Sequence, residues 1–121
     1  MADTPERKQG GDALATLARD YVRLLQQRAK ARGLPCTLQP AELVSMLRET
    51  TVCPVLGIAL QPGRVRGPHI VDATTTIVML DPGQGYTRDN VAVISHRANR
   101  LLADATLAEM QAIVKWMKRP H

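Results

Sequence analysis

The stretch formed by residues 77–99 changes its hydrophobic pattern twice, and this restricts the possible fold more than any other feature. Residues 77–80 form an apolar run that is too short and too closely bounded by turn residues for a helix, so we predict a buried strand. A loop rich in Pro and Gly follows. The second predicted strand contains Val91, Val93 and Ile94. Ser95 is a suitable N-cap for a helix over about residues 96–103, because its oxygen can accept a hydrogen bond from an amide at the helix start.

Several short motifs in this stretch carry a family resemblance. They are Asp81-Pro82, Gly85-Tyr86, Asn90-Val91 and Ile94-Ser95-His96-Arg97-Ala98-Asn99. In this order the chain resembles the HNH endonuclease superfamily, also called the ββα-metal fold, and in particular a group common in bacteriophage genomes. The segment of residues 53–58, Cys-Pro-Val-Leu-Gly-Ile, resembles a further segment of that group. The resemblance extends over about residues 34–116 and implies a β-hairpin followed by a helix.

The chain departs from the family at two neighbouring positions of the first strand. There an HNH enzyme has a metal ligand beside a general base, usually Asp-His, and in this group Asp-Arg. In register, these positions hold Val78 and Met79. Neither side chain can hold a hard cation, which prefers oxygen ligands, and neither can transfer a proton. The resemblance further implies that Asn90 ties the loop and that Asn99 is a metal ligand on the helix, so the frame is retained while the reactive corner is apolar.

Other side chains offer alternatives to the missing ligand and base. His69 and Asp72 precede the first strand, but they are out of register, and a strand must shift by an even number of residues to present the same face. His96 could reach a metal or a phosphate, or it could be a half-exposed histidine near a helix N-terminus. Asp81 could coordinate a cation, or it could cap the turn with Pro82.

The formal net charge of +5 favours an anionic partner. The candidate residues for contact with nucleic acid are Arg64, Arg66, Arg88, Arg97 and Arg100. Such charges can also serve only to solvate a surface. The chain has two Tyr, one Trp and no Phe, so we do not expect a platform on which the bases of a single strand stack.

Apolar residues recur at helical spacing at both ends of the chain. We predict a first helix of about twenty residues that starts at Asp12 and ends at Gly33, a short helix over residues 41–48, and a last helix over residues 107–118. The predicted inward stripes are Leu14, Leu17, Tyr21, Leu24 and Leu25 in the first helix, and Met110, Ile113, Val114 and Met117 in the last. The first stripe covers the core or, alternatively, meets a partner helix in a homodimer. Trp116 either closes the edge of the core or lies at a contact surface.

These elements predict a small α+β domain with N-terminal helices, a β-hairpin plus helix core over about residues 74–103, and a C-terminal helix. We expect residues 1–11 to form a flexible tail and residues 12–119 to form one domain. No run is long enough to span a membrane and no signal peptide is visible, so we expect a cytoplasmic protein. The two cysteines predict neither a disulfide framework nor a four-ligand zinc site. Cys53 is expected to be a small buried side chain, with a reactive thiol as the alternative.

Three functions follow as hypotheses. The first is a catalytically degenerate HNH-like protein that binds nucleic acid, chiefly DNA. The second is an effector that binds a host protein through the former active-site face. The third is an active metal-dependent endonuclease whose ligands lie elsewhere. No cofactor is expected for the first two, and a divalent cation such as Mg²⁺ is expected only for the third.

Overall fold

The computed structural model describes residues 5–63 and 70–120, with side chains from Ala13 onward. Its helices are α1 (Pro5–Arg32), α2 (Pro40–Glu49), α3 (His96–Leu102) and α4 (Leu107–Met117). Its strands are β1 (Thr75–Met79) and β2 (Val91–Ser95), and a 3-10 turn (Arg88–Asn90) precedes β2. The fold is therefore a mixed α+β fold with a hairpin followed by helices, which confirms the predicted class. No helix in these two ranges is both long and apolar enough to cross a membrane.

The two strands form an antiparallel hairpin. Thr75 lies opposite Ser95 at one end, and Met79 lies opposite Val91 at the other. Because side chains alternate between the two faces of a strand, Ile77 shares a face with Thr75 and Met79, whereas Val78 lies on the opposite face. The hairpin therefore has two faces that must both be covered.

The inner face of the hairpin packs on α1 and α2. The buried residues of this core include Tyr21, Leu25, Leu38, Leu43, Leu47, Ile77, Val91 and Val93. The hydroxyl of Tyr21 donates a hydrogen bond to the carbonyl of Thr75, which ties α1 to the start of β1. Burial raises the pKa of Tyr21, so this hydroxyl stays protonated as a donor. The apolar stripe of α1 thus covers the protein's own core and is not free to meet a partner helix.

The outer face of the hairpin packs on α3 and on the turn of residues 51–60. Cys53, Ile94 and Ala98 are buried there, with Val78 and Leu102 partly buried against them. Within the turn, Cys53 accepts a hydrogen bond from the Gly57 N–H through its carbonyl and donates one to Ile58. The turn therefore seats the Cys53 side chain beneath the hairpin.

The start of α1 differs from the prediction. The helix begins at Pro5, so residues 5–11, predicted as part of a flexible tail, are helical. Proline is well suited to the first position of a helix because its missing N–H would be unpaired there anyway. Residues 1–4 lie outside the described part of the chain. At the other end, Gly33 adopts a φ of 68° and stops α1 where expected.

The last helix forms as predicted, but its orientation does not match the prediction. Thr106 and Glu109 form a capping box at its start. The inward stripe is wrong, because α4 has no buried residue, and Ile113, Val114 and Met117 are 50%, 47% and 65% exposed. The physical reason is that α1 and α2 already cover one face of the hairpin and α3 covers the other. Trp116, 62% exposed, lies on the surface and does not close the core.

Candidate functional site

Asn90 braces the loop between the two strands from its far end. Its side-chain Nδ2 donates to the carbonyls of Asp81, at 3.0 Å, and Gly85, at 2.7 Å, and its Oδ1 accepts from the Asp81 N–H at 2.9 Å. The backbone of Asn90 also accepts from the Leu80 N–H at 2.8 Å. One side chain therefore closes the loop of residues 81–85 at both ends, which is the role that the family resemblance implies for it.

Asp81 caps the turn that follows β1. Its Oδ1 accepts a hydrogen bond from the Gly83 N–H at 3.2 Å, and the residue is exposed. Of the two roles considered for Asp81, the structure places its carboxylate in the turn, at the loop end of the hairpin.

The loop is fastened to the segment between α1 and α2 by backbone contacts. The Tyr86 N–H donates to Pro35 at 3.0 Å, and the Tyr86 carbonyl accepts from Thr37 at 3.0 Å. Gly85 has a φ of 83°, and a Cβ at this position would lie 2.3 Å from the Pro35 oxygen. Only glycine fits there, because both the positive φ and the close approach exclude a side chain.

The first three amide N–H groups of α3 all donate hydrogen bonds to backbone or side-chain acceptors. The His96 N–H donates to Thr74 at 2.7 Å, the Arg97 N–H donates to Asp72 at 3.0 Å, and the Ala98 N–H donates to the Ser95 Oγ at 3.1 Å. The Ser95 cap confirms the prediction. Amides at a helix start can bind phosphate, but these three are already paired, so any recognition of an anion here depends on side chains.

Asp72 has a structural part at this site. Its carbonyl caps α3, and its carboxylate lies 3.4 Å from the Arg100 guanidinium. Both side chains are more than half exposed, and an ion pair of this kind contributes little to stability. His69, considered together with Asp72 as a replacement ligand, lies outside the described residues. His96 is half-buried on α3.

Val78 and Met79 are half-buried on opposite faces of β1. Val78 packs into the outer cluster with Ala98 and Leu102. Met79 packs against the inner core. Adjacent strand residues point in opposite directions, so only Val78 faces α3. The position of the expected metal ligand is therefore filled by apolar packing.

The donor atoms near this corner do not fit a divalent cation. Asn99 is half-buried on α3 and offers a neutral amide oxygen, whereas Mg²⁺ prefers carboxylate ligands. The Asp81 carboxylate is used in its turn. In residues 5–63 and 70–120, no group of three or more His, Cys, Asp and Glu residues could hold a metal ion. We therefore derive no metal-assisted step for this chain.

The structure separates the predicted basic residues into two places. Arg88 is exposed in the 3-10 turn that precedes β2. Arg97 and Arg100 lie on α3, which follows the other end of β2. A strand of five residues spans about 16 Å, so Arg88 lies roughly this far along the hairpin from the other two. Arg64 and Arg66 lie outside the described residues.

Sequence reasoning missed the environment of Cys53. The side chain is 1% exposed, as expected for a small buried residue, but the Ser95 N–H donates to its Sγ at 3.3 Å. Burial raises the pKa of this thiol, but hydrogen bonds from Ser95 and from backbone N–H groups outweigh burial and lower the pKa to about 7. Cys53 and Ser95 are 42 residues apart, so no local pattern could reveal the contact. The only signal was that both residues belong to segments that carry the family resemblance.

Comparisons of the chain with protein-family models, with curated proteins and with solved structures gave no match. The resemblance to HNH endonucleases therefore stays a prediction that rests on the motifs.

Proposed function

We propose that the protein binds double-stranded nucleic acid, chiefly DNA, through basic side chains around the ββα core, and that it does not cleave it. The observation that carries the proposal is the contrast within this core. The loop brace of Asn90 and the cap of Ser95 are intact, whereas Val78 and Met79 are packed into apolar clusters. A frame that still orients the hairpin and α3, but whose reactive corner is hydrocarbon and thioether, is suited to binding without hydrolysis.

The positions of the arginines support contacts to phosphate. Arg97 and Arg100 lie about one turn apart on α3, which follows β2, and Arg88 lies before the start of β2. Their spread along about 16 Å matches several phosphates of one duplex better than a single anion. Such contacts position a protein on nucleic acid without reading its sequence, so we expect weak sequence preference.

The aromatic residues favour a duplex over a single strand. Tyr21 and Tyr86 are 2% and 5% exposed and are committed to the core. One face of Trp116 is covered by the Arg119 guanidinium, 3.7 Å from the ring centroid. Binding of single strands without sequence preference depends on exposed aromatic rings on which bases stack, and the ββα core presents none among the described residues.

The experiment is a salt titration of binding to a short labelled DNA duplex, followed by fluorescence anisotropy. We expect the logarithm of the association constant to fall linearly with the logarithm of the salt concentration, and Arg97→Ala to reduce the slope by about one. The matched control is Arg23→Ala, an exposed arginine on α1. An affinity that does not change with salt, or an Arg97→Ala slope equal to that of Arg23→Ala, would reject the proposal.

Under the effector hypothesis, Val78 and Met79 are either filling of the core or part of an exposed apolar patch. Val78 and Met79 are half-buried, and each packs into one of the two apolar clusters of the core, so they do not supply such a patch. Five of the exposed large apolar side chains lie on α4, whereas the ββα core exposes two, Leu80 after β1 and Leu101 on α3. Exposed apolar residues that stand singly are ordinary on a protein surface. No observation at the ββα core therefore favours the effector over the binding protein.

A further inference from the structure

The helix α4 exposes an unusual amount of apolar surface for its length. Five of its eleven residues are large apolar side chains with exposed fractions from 47% to 73%. They are Leu107, Ile113, Val114, Trp116 and Met117. Exposed apolar residues are ordinary when they are scattered, but a contiguous patch on one element marks an interaction surface.

Part of this patch has the spacing of a coiled-coil seam. Leu107, Met110, Val114 and Met117 follow one another at intervals of three, four and three residues, and we call them the α4 seam. The helix that carries the seam is closed at its start by the capping box of Thr106 and Glu109. The seam is therefore held in a regular helix before any partner binds.

The charges along α4 indicate which partner fits the seam. Asp104 and Glu109 lie near its start, and Lys115 and Lys118 lie near its end. Two such helices side by side in the same direction would oppose like charges. In an antiparallel pair related by a two-fold axis, the acidic start of each helix meets the basic end of the other. We propose that the protein forms a homodimer in which the α4 seams of two copies pair antiparallel.

Folding back of α4 onto its own domain is the competing use of the seam. The connection between α3 and α4 is a tight turn, in which the Ala105 N–H donates to the Leu102 carbonyl at 2.8 Å. The two faces of the hairpin are already covered by the other helices and by the turn of residues 51–60. The seam therefore finds no uncovered sheet face within the described part of its own chain.

The size of the seam predicts a weak dimer. The helix α4 has 11 residues, or about three turns, whereas a specific interface buries at least about 1,000 Å² in total, so a pair of such helices lies at the low end. Association should therefore depend on protein concentration, with a midpoint in the micromolar range or above, about 1 μM or more. This dimer does not depend on nucleic acid, so a failure to dimerise and a failure to bind DNA are separate outcomes.

The first test is sedimentation velocity of the full chain over a concentration series, without nucleic acid. We expect a shift from monomer to dimer that Val114→Glu moves to concentrations at least about tenfold higher. The matched control is Ala112→Glu, which introduces the same exposed charge on the same helix but off the seam. Both positions are exposed, so circular dichroism should show both variants folded. A monomer at every concentration, or a dimer equally affected by both variants, would overturn the proposal.

The second test reverses charges to fix the direction of the pair. Asp104→Lys and Lys118→Glu should each weaken the dimer, because each places like charges opposite one another. The chain that carries both changes should recover the wild-type association. In its dimer, a lysine at position 104 of each copy faces a glutamate at position 118 of the other, so opposite charges meet again. Failure of the double variant to recover would exclude the antiparallel arrangement, and a dimer indifferent to all three would place the contact elsewhere.

Discussion

Among the described residues, the ββα core and α4 are both well formed locally, but the core is buried against its neighbours, whereas α4 has no buried residue. In the core, single residues hold distant segments together, as Asn90 does for the loop and Gly85 does through its contact with Pro35. The capping box of α4 satisfies only its own helix start. Local signals decide whether an element forms, whereas its position depends on whether another surface has room for it.

The largest expected effect is that of Gly85→Ala. Gly85 has a φ of 83°, and the new Cβ would lie 2.3 Å from the Pro35 oxygen, so the loop must move away from Pro35. We expect a loss of about 3 kcal/mol or more in the free energy of unfolding, measured with urea. The control is Gly57→Ala, which has a similar φ of 75° but open space, and which should cost about 1 kcal/mol. Equal losses in both variants would show that the loop is not fastened at Pro35.

Removal of the loop brace should have the next largest effect. Asn90→Ala deletes three side-chain hydrogen bonds, so we expect a loss of about 2 kcal/mol in the free energy of unfolding. Asn99→Ala keeps the backbone carbonyl that caps α3 by accepting from Ala103, and should change the stability by less than about 0.5 kcal/mol. If Asn99→Ala proved as damaging as Asn90→Ala, the hydrogen bonds of the Asn90 side chain would not be what sets these two asparagines apart.

A smaller effect should appear in the free energy of unfolding, which should depend on pH through ionisation of the Cys53 thiol. The pKa of its thiol is lowered from 9.0 to about 7 in the folded chain, so ionisation of the thiol stabilises the folded state. This contribution is lost as the pH falls through about 7 and is complete above the unfolded pKa of 9.0. The stability difference between wild type and Cys53→Ala should therefore grow by about 1 kcal/mol from about pH 6 to about pH 8. Parallel stability curves over this range would mean that the thiol stays protonated.

The smallest expected effect is that of Val114→Ala on α4, measured at a protein concentration low enough to keep the chain monomeric. Val114 is 47% exposed, and alanine has the higher helix propensity, so the free energy of unfolding should change by less than about 0.5 kcal/mol. The matched variant Val93→Ala removes the same atoms from a side chain that is 3% exposed, and should cost about 2 kcal/mol. A cost at Val114 close to that at Val93 would show that α4 is packed against the domain.

Much of the fold could be predicted because its signals are local. A serine before a helical run, as at Ser95, and a Thr and Glu three residues apart, as at Thr106 and Glu109, satisfy helix amides without any distant partner. The hairpin follows in the same way from two short apolar runs around a turn-rich loop. The brace of Asn90 was expected from the resemblance and not from any periodicity.

The remaining features depend on residues that are distant in sequence. Periodicity groups the side chains of α4 on one face, but it does not tell whether anything covers that face. The close contact of Gly85 with Pro35 and the hydrogen bond to Cys53 appear only after the chain has folded. A flexible tail was expected over residues 1–11, yet α1 begins at Pro5, and proline is well suited to the first position of a helix.

The most direct test of the central claim is the fate of a supercoiled plasmid that the protein has demonstrably bound. The protein is added at concentrations that retard the plasmid in a gel, with Mg²⁺, Mn²⁺ or Zn²⁺ present in turn. Val78 and Met79 pack in apolar clusters at the two positions where the resemblance implies a metal ligand and a base. We therefore expect the plasmid to be retarded and, after removal of the protein, to remain supercoiled. Nicking by the wild type that disappears in Asn99→Ala would contradict the account.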